Sequence, residues 1–219
     1  EIIAGIIIIG NEVLSGRTKD INTSTIAIWL NSLGIEVKEV RVIPDVEKVI
    51  VDTVNKLRKK FNYIFTTGGI GPTHDDITAE SISKAFNLEY GIHKEAFAIL
   101  KDYYKPGEFT EGRQKMSKMP TTANLIYNPS SGAPGFYVEN VFCLPGVPSI
   151  LKSMLGGLNN TLVGGDPVLS KTLNLRTVES EIAKSLTEVQ NKNKEVEIGS
   201  YPFFRAGKLG VSIVLRSID

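Results

Sequence analysis

The glycine-rich turn at residues 68–71 and the segments that flank it constrain the fold more than any other part of the chain. An apolar run with high β propensity, residues 63–65, leads into the turn, in which three of four residues are glycine. After the turn, residues 77–86 have the apolar spacing of an amphipathic helix. A strand, a short turn and a helix in succession form the repeating unit of α/β proteins, so this segment predicts a mainly parallel sheet.

The same turn has the chemistry of an anion-binding site. Gly68, Gly69 and Gly71 carry no side chains and tolerate positive φ, so their N–H groups can wrap around a phosphate at the start of a helix. Two carboxylates, Asp75 and Asp76, follow the turn. Because carboxylates repel a phosphate, the pairing indicates a divalent cation between the two. The alternative is a tight turn in which one aspartate caps the helix, which leaves the second aspartate and the glycines without a role.

The composition is that of a folded protein with a sizeable core. Of the 219 residues, 42% are hydrophobic, and the net charge of +1 argues against broad nucleic-acid binding. The single cysteine, Cys143, lies in an apolar run, which favours a buried thiol and excludes an internal disulfide. We therefore expect a cytoplasmic protein. The apolar residues 2–9 are too few to cross a bilayer, so we expect no membrane partner.

Strands and helices alternate along the first 158 residues. This order predicts a three-layer α/β/α domain with a mainly parallel sheet. We expect strands at 2–9, 36–43, 63–67, 125–127, 135–138 and 141–144, and helices at 21–33, 46–60, 77–86, 94–104, 111–118 and 148–158.

Glycine pairs at 156–157 and 164–165 mark a change in composition, and we place the domain boundary after residue 166. The domains are therefore 1–166 and 167–219. Beyond the boundary the pattern predicts a strand, a helix and two strands, which form a small α+β subdomain. Because such a unit is small for an independent core, we expect it to pack on the first domain or on a partner subunit. We also expect the protein to form a homo-oligomer, either a dimer or a trimer. The predicted elements are 169–176, 178–190, 195–198 and 209–216.

Motifs at the ends of three strands resemble those of a known family. They are Gly10-Asn11-Glu12, the run 66–72 with 75–78, and the run 144–148. Together they resemble the molybdopterin-binding domain family, which has the MogA/MoaB/MoeA fold. The tail segments 178–183 and 198–202 are similar to the extension found in the CinA branch and in the molybdopterin-binding-like domain of FAD synthases. The resemblance covers essentially the whole chain and implies a molybdopterin-binding-like fold with a small CinA-type extension.

The resemblance also implies a set of activities. CinA-type domains are linked to metal-dependent pyrophosphatase activity on ADP-ribose, and the related domains of FAD synthases are linked to FAD hydrolysis. The MogA-like branch adenylylates molybdopterin. We therefore expect a metal-dependent nucleotide pyrophosphatase that acts on ADP-ribose, FAD or a similar dinucleotide. The alternatives are a molybdopterin adenylyltransferase and a non-catalytic module that binds a pterin or a nucleotide.

The three motifs lie where an open α/β sheet binds its ligands, beyond the carboxyl ends of the strands. Asp75 and Asp76 are the predicted catalytic residues, and with Glu12 they are the predicted ligands of Mg²⁺, Mn²⁺ or Co²⁺. The loops are predicted to bind the phosphate or the nucleotide. The predicted binding residues in these loops are Gly10, Asn11, Glu12, Thr67, Gly68, Gly69, Gly71, Pro72, Pro145, Gly146 and Pro148.

Three further residues belong to the predicted site because of the resemblance. Asp20 and Asn22 open the first long helix, and the resemblance places an Asp-x-Asn of this kind near the ligand. The alternative is that at least one of them caps the helix. Gly132 lies in a second small-residue loop whose family counterpart borders the cleft. The resemblance leaves molybdopterin open as the ligand.

Overall fold

The structure is a computed structural model in which residues 1–205 and 207–218 are described. The chain divides into two compact units, Glu1–Gly165 and Asp166–Asp219. The N-terminal unit holds the elements that position the predicted site.

The N-terminal unit alternates strands and helices. Its strands are β1 (Ile2–Ile9), β2 (Ile35–Ile43), β3 (Tyr63–Thr67), β4 (Tyr90–Ile92), β5 (Lys118–Pro120), β6 (Asn124–Ile126), β7 (Gly135–Val138) and β8 (Val141–Leu144). Its helices are α1 (Asn11–Leu14), α2 (Asn22–Ser32), α3 (Glu47–Leu57), α4 (Thr78–Ala85), α5 (Lys94–Tyr103), α6 (Glu111–Lys115) and α7 (Pro148–Leu155), followed by the 3₁₀ turn Gly156–Leu158.

The main sheet has the order β2-β1-β3-β8-β7-β6. Strands β2, β1, β3 and β8 are parallel, whereas β7 runs antiparallel to both β8 and β6. Helices cover both faces. The predicted three-layer α/β/α fold with a mainly parallel sheet is confirmed.

Strand β1 explains why the N-terminal run is apolar without alternation. Ile7 and Ile9 lie in one buried cluster with residues of α3 and α4. Ile6 and Ile8 lie in a second buried cluster with residues of α2 and α7. Because successive side chains of a strand point to opposite faces, a strand with a core on each side needs apolar residues at every position.

The region after α5 differs from the prediction. The helix expected at 111–118 ends at Lys115, and the chain then forms β5, which pairs with β4 in a separate antiparallel sheet. Pro120 explains the change, because a proline disfavours helical backbone at the residue before it. That residue, Met119, is buried. Strands as short as β4 and β5 are too short to have a periodic signal in the sequence.

The C-terminal unit is a small α+β unit, as the sequence predicts. Its elements are β9 (Leu169–Leu175), α8 (Glu179–Lys192), β10 (Glu197–Arg205) and β11 (Lys208–Ser217), and the antiparallel sheet has the order β10-β11-β9. Strand β10 extends well beyond the predicted 195–198 and contains Pro202. An edge strand such as β10 tolerates a proline because one side of its backbone forms no ladder hydrogen bonds.

Across the described residues, each helix is too short or too polar to cross a bilayer.

Cys143 provides a test of the core. The Cys143 thiol on β8 is fully buried, and this burial raises its pKa to about 12. We therefore expect the native protein to resist alkylation by iodoacetamide at about pH 8, because the reactive thiolate is almost absent and out of reach. The guanidinium-unfolded chain should be labelled stoichiometrically, as measured by mass spectrometry. Equal labelling rates for the native and unfolded chains would contradict the burial of this strand.

Candidate functional site

A cleft of about 530 Å³ opens at the carboxyl ends of β3 and β8. Its walls include the loops 68–72 and 145–148. The two loops begin side by side, because the N–H of Gly68 donates to the carbonyl of Leu144, the last residue of β8, at 3.1 Å. The volume is that of a site for a small organic ligand. The predicted residues that line this cleft are Glu12, Gly68, Gly69, Gly71, Pro72, Asp76, Pro145, Gly146 and Pro148.

A smaller pocket of about 60 Å³ adjoins the cleft and is lined by Asp20, Asn22 and Thr67. Four residues line both spaces: Glu12, Gly68, Gly146 and Pro148. Asp20 precedes the N-cap residue Ile21, and its Oδ1 accepts from the N–H groups of Asn22 at 2.9 Å and Thr23 at 3.3 Å, the first two residues of α2. Asn22 Nδ2 donates to the carbonyl of Gly146 at 2.8 Å, which ties α2 to the loop after β8. The amide oxygen of Asn22 is buried without a partner in the described chain.

The first two glycines of the turn are required by the packing beneath it. Gly68 and Gly69 have φ of 97° and 70°. A Cβ on Gly68 would lie 2.2 Å from the carbonyl oxygen of Ile9, and a Cβ on Gly69 would lie 2.1 Å from Thr78 Oγ1. Both missing side chains thus point at the protein. A side chain at either position would therefore meet protein atoms beneath the turn.

Three consecutive backbone N–H groups of the turn are free to donate a hydrogen bond to a ligand. Within the described residues, the backbone N–H groups of Gly69, Ile70 and Gly71 have no hydrogen-bond partner. All three residues line the cleft. Consecutive free N–H groups of this kind form an anion-binding concavity.

The two predicted catalytic aspartates differ in their surroundings. Asp76 is half-buried, and its Oδ2 accepts from the N–H of Thr73 at 2.8 Å and from the Thr73 hydroxyl at 2.6 Å. Asp75 is exposed and does not line the cleft. The Thr73 hydroxyl, at 2.7 Å, is the main cause that lowers the pKa of Asp75. Asp76 is therefore the member of the pair that borders the cleft.

Asp45 is a candidate residue that the sequence analysis missed. It lies just beyond the carboxyl end of β2, and its Oδ2 accepts from the N–H of Asn11 at 2.9 Å. Burial raises its pKa, the hydrogen bond from Asn11 opposes this, and the charges of Glu12, Asp75 and Asp76 raise it further. Among the residues that the structure describes, none of these four carboxylates belongs to an ion pair. The rim of the cleft therefore concentrates carboxylates outside direct ion pairs, opposed by the charge of Lys115 near Asp75 and by Lys19 on the adjoining pocket.

The carboxylates do not form a complete metal cage. In the described ranges 1–205 and 207–218, no group of three His, Cys, Asp or Glu side chains is arranged to hold a metal ion. Glu12 and Asp76 nevertheless line the same cleft as the free N–H groups. One or two carboxylates combined with substrate phosphates are the usual ligands of Mg²⁺. The donor set fits a cation whose coordination is completed by a bound phosphate.

Four predicted residues line neither space: Gly10, Asn11, Asp75 and Gly132. Asn11 instead contacts Asp45, and Gly132 packs under the ring of Tyr103. The cleft also contains residues that the sequence analysis did not select, several of them in the small-residue loop around Gly132. These residues are Ile70, Met116, Asn128, Ser131, Ala133, Pro134, Val147 and Ile150.

Comparisons with known proteins agree with this architecture. Residues 5–163 match the sequence model of a family described as "Probable molybdopterin binding domain", and residues 167–219 match "FAD synthase, middle domain". A protein of Archaeoglobus fulgidus is 36% identical over 197 residues, which cover 90% of this chain and 84% of that protein.

Two solved structures extend the comparison. The crystal structure of CinA, a protein of unknown function from Thermoplasma acidophilum, has a TM-score of 0.68 and 32% identity, and the match covers 73% of this chain and 96% of the CinA chain. The molybdopterin biosynthesis enzyme MoaB from Thermus thermophilus has a TM-score of 0.51 and 18% identity, over 74% of this chain and 92% of MoaB. The likeness to MoaB concerns the fold alone.

The fold and the cleft define the class of protein. It is an α/β protein of the molybdopterin-binding type, with a cleft at the carboxyl edge of the sheet. Such a fold suits a small pterin or nucleotide ligand. The matches then specify the family: the chain belongs to the molybdopterin-binding domain family, in its CinA-like branch. The resemblance derived from the strand-end motifs is confirmed.

Substitution of Gly69 tests the packing of the turn. Gly69→Ala should destabilise the fold by about 1–3 kcal/mol, because alanine is strained at positive φ and its Cβ meets the Thr78 hydroxyl. Urea unfolding measures the change. Gly107→Ala is the matched control for backbone strain, since Gly107 has φ of 85° and a Cβ there has no atom within 4 Å. A Gly69→Ala variant as stable as the wild type would contradict the packing described for the turn.

Substitution of Asp45 tests the cluster of negative charge. Since the folded-state pKa of Asp45 is raised, the folded protein binds more protons than the unfolded chain just above the ordinary pKa, and stability falls as the pH rises through that window. Asp45→Asn keeps an acceptor for the Asn11 N–H and removes the charge. We expect a higher Tm at about pH 7, and a gain that shrinks below the ordinary pKa of aspartate. Asp166→Asn, on an exposed residue, should leave the Tm unchanged. A lower Tm for Asp45→Asn at neutral pH would contradict this account.

Proposed function

We propose that the protein is a metal-dependent pyrophosphatase that cleaves ADP-ribose, FAD or a similar dinucleotide. The observation that carries the proposal is the meeting, in one cleft, of the free N–H groups of residues 69–71 with the carboxylates of Asp76 and Glu12. Backbone N–H donors without carboxylates nearby can bind any anion. When carboxylates lie beside the donors, they repel an anion unless a divalent cation binds with it, which is typical of a phosphate ligand.

The size of the cleft supports a nucleotide-sized ligand. The cleft of about 530 Å³ has room for such a group, whereas the adjoining pocket of about 60 Å³ has room for water-sized groups alone. The match of the C-terminal residues to the middle domain of FAD synthase favours a dinucleotide over molybdopterin adenylylation.

The proposed reaction is hydrolysis of a phosphoric anhydride. The oxygen of water bonds to one phosphorus, the bond from that phosphorus to the bridging oxygen breaks, and a water proton is released. ADP-ribose then gives AMP and ribose 5-phosphate, and FAD gives AMP and FMN. A bound Mg²⁺, Mn²⁺ or Co²⁺ supplies neutralisation of the phosphate charge and activation of water.

The chain's own residues have separate roles in this proposal. The N–H groups of residues 69–71 hold the phosphate and orient it. Asp76 and Glu12 hold the cation, with Asp45 behind them as a further negative charge. The N–H of Thr73 donates to Asp76 and so orients it at the edge of the turn, and the Thr73 hydroxyl lies within hydrogen-bond distance of both Asp76 and Asp75.

The test of the proposal is a product assay with a matched pair of variants. We expect wild-type protein to release AMP from ADP-ribose or FAD in a reaction that EDTA stops and that Mg²⁺, Mn²⁺ or Co²⁺ restores. Asp76→Asn keeps an acceptor for Thr73 and should lower kcat by at least about 100-fold without changing the Tm greatly. Asp52→Asn, on the exposed face of α3, should leave kcat unchanged. Chromatography of the products measures the activity of the wild type and of both variants, and thermal unfolding measures the Tm of Asp76→Asn.

The alternatives predict different results in the same assay. Adenylylated molybdopterin formed from ATP and molybdopterin would assign the protein to molybdopterin adenylylation. Measurable binding of nucleotide or pterin with no AMP release across the metal panel would favour a non-catalytic binding module. Full activity in Asp76→Asn would remove Asp76 from the mechanism.

A further inference from the structure

Lys115 lies beside the glycine turn, close enough to Asp75 for its charge to act on that carboxylate. It is the last residue of α6 and is half-buried. Among the described residues it forms no ion pair, and its ammonium group donates instead to the backbone carbonyl of Thr73. Thr73 is also the residue that hydrogen-bonds Asp76. The ammonium group therefore lies against the segment that joins the glycine turn to the aspartates.

The surroundings of α6 hold Lys115 in this position. The guanidinium of Arg113 lies 4.3 Å from the centre of the Tyr104 ring, and Gln114 Nε2 donates to the carbonyl of Phe109 at 3.1 Å. The next residue, Met116, lines the cleft. A lysine fixed at its backbone and flexible along its side chain can move its charge over a few ångströms at little cost.

The present partner of Lys115 is weaker than a phosphate. A neutral carbonyl accepts a lysine hydrogen bond less strongly than an anionic oxygen does, and charge-assisted hydrogen bonds are roughly twice as strong as neutral ones. A phosphate on the N–H groups of residues 69–71 would therefore compete with Thr73 for the ammonium group.

We propose that Lys115 is a phosphate-binding residue, whose ammonium group moves from the Thr73 carbonyl to a phosphate oxygen of the ligand held on the glycine turn. This inference rests on the proposed function for the nature of the ligand. It adds a positive charge to a site that the carboxylates otherwise make negative, and it places that charge on α6, outside the three strand-end loops.

The test separates the charge of Lys115 from its hydrogen bond. Lys115→Gln keeps a donor for the Thr73 carbonyl and loses the charge, whereas Lys115→Met loses both. Binding of inorganic pyrophosphate with Mg²⁺ is measured by calorimetry on the full chain, beside kcat/KM for ADP-ribose. We expect both variants to weaken pyrophosphate binding by roughly 10–100-fold and to keep the wild-type Tm. Lys118→Gln, on an exposed residue of β5, controls for loss of net charge.

Each result decides the inference. Wild-type affinity in Lys115→Gln with weak binding in Lys115→Met would overturn it, because the hydrogen bond to Thr73 alone would then suffice. Equal weakening in Lys118→Gln would also overturn it, as an effect of net charge. Pyrophosphate binding that depends on Lys115 in a protein that cleaves neither ADP-ribose nor FAD would support the role of Lys115 and reject the proposed hydrolysis. No pyrophosphate binding by the wild type would reject the role of Lys115, whatever its activity.

Discussion

The close approach of the glycine turn to the protein beneath it is the contact on which the site depends. Gly68 lies against the carbonyl of Ile9 at the end of β1, and Gly69 lies against Thr78 at the start of α4. Side chains at these positions would lift the turn away from both elements. Because both residues are glycine, the turn can pack against Ile9 and Thr78, and residues 69–71, whose N–H groups have no partner in the described chain, line the cleft.

The electrostatics of the cleft follow from the parallel sheet. Parallel strands end at the same edge, so Glu12 after β1, Asp45 after β2 and Asp76 after β3 come from distant parts of the sequence to one region. Burial raises the pKa of Asp45, and the charges of Glu12, Asp75 and Asp76 raise it further, so ionised Asp45 costs stability in the absence of a cation. This local loss of stability lies where a positively charged species can bind, as is common at functional sites.

The fold and much of the cleft could be predicted from the sequence, because strong local patterns produced them. The buried strands, the glycine turn and the strand-end motifs all have such patterns. Asp45 belongs to no recognisable motif. It could still have been selected, because it follows β2, and ligands of an open α/β sheet bind beyond the carboxyl ends of its strands. The β4–β5 pair and the position of Lys115 had no comparable signal, because both depend on where α6 ends and on contacts between segments far apart in the chain.

The Thr73 hydroxyl lies within hydrogen-bond distance of both Asp75 and Asp76, at 2.7 and 2.6 Å, but it has a single proton to donate. Only one carboxylate can receive that proton at a time. Under the proposed function, a cation bound to the Asp76 oxygen would leave the hydroxyl free to turn to Asp75. Asp75, which does not line the cleft, would then accept the Thr73 proton, so that Asp76 could change partners without leaving that donor unpaired.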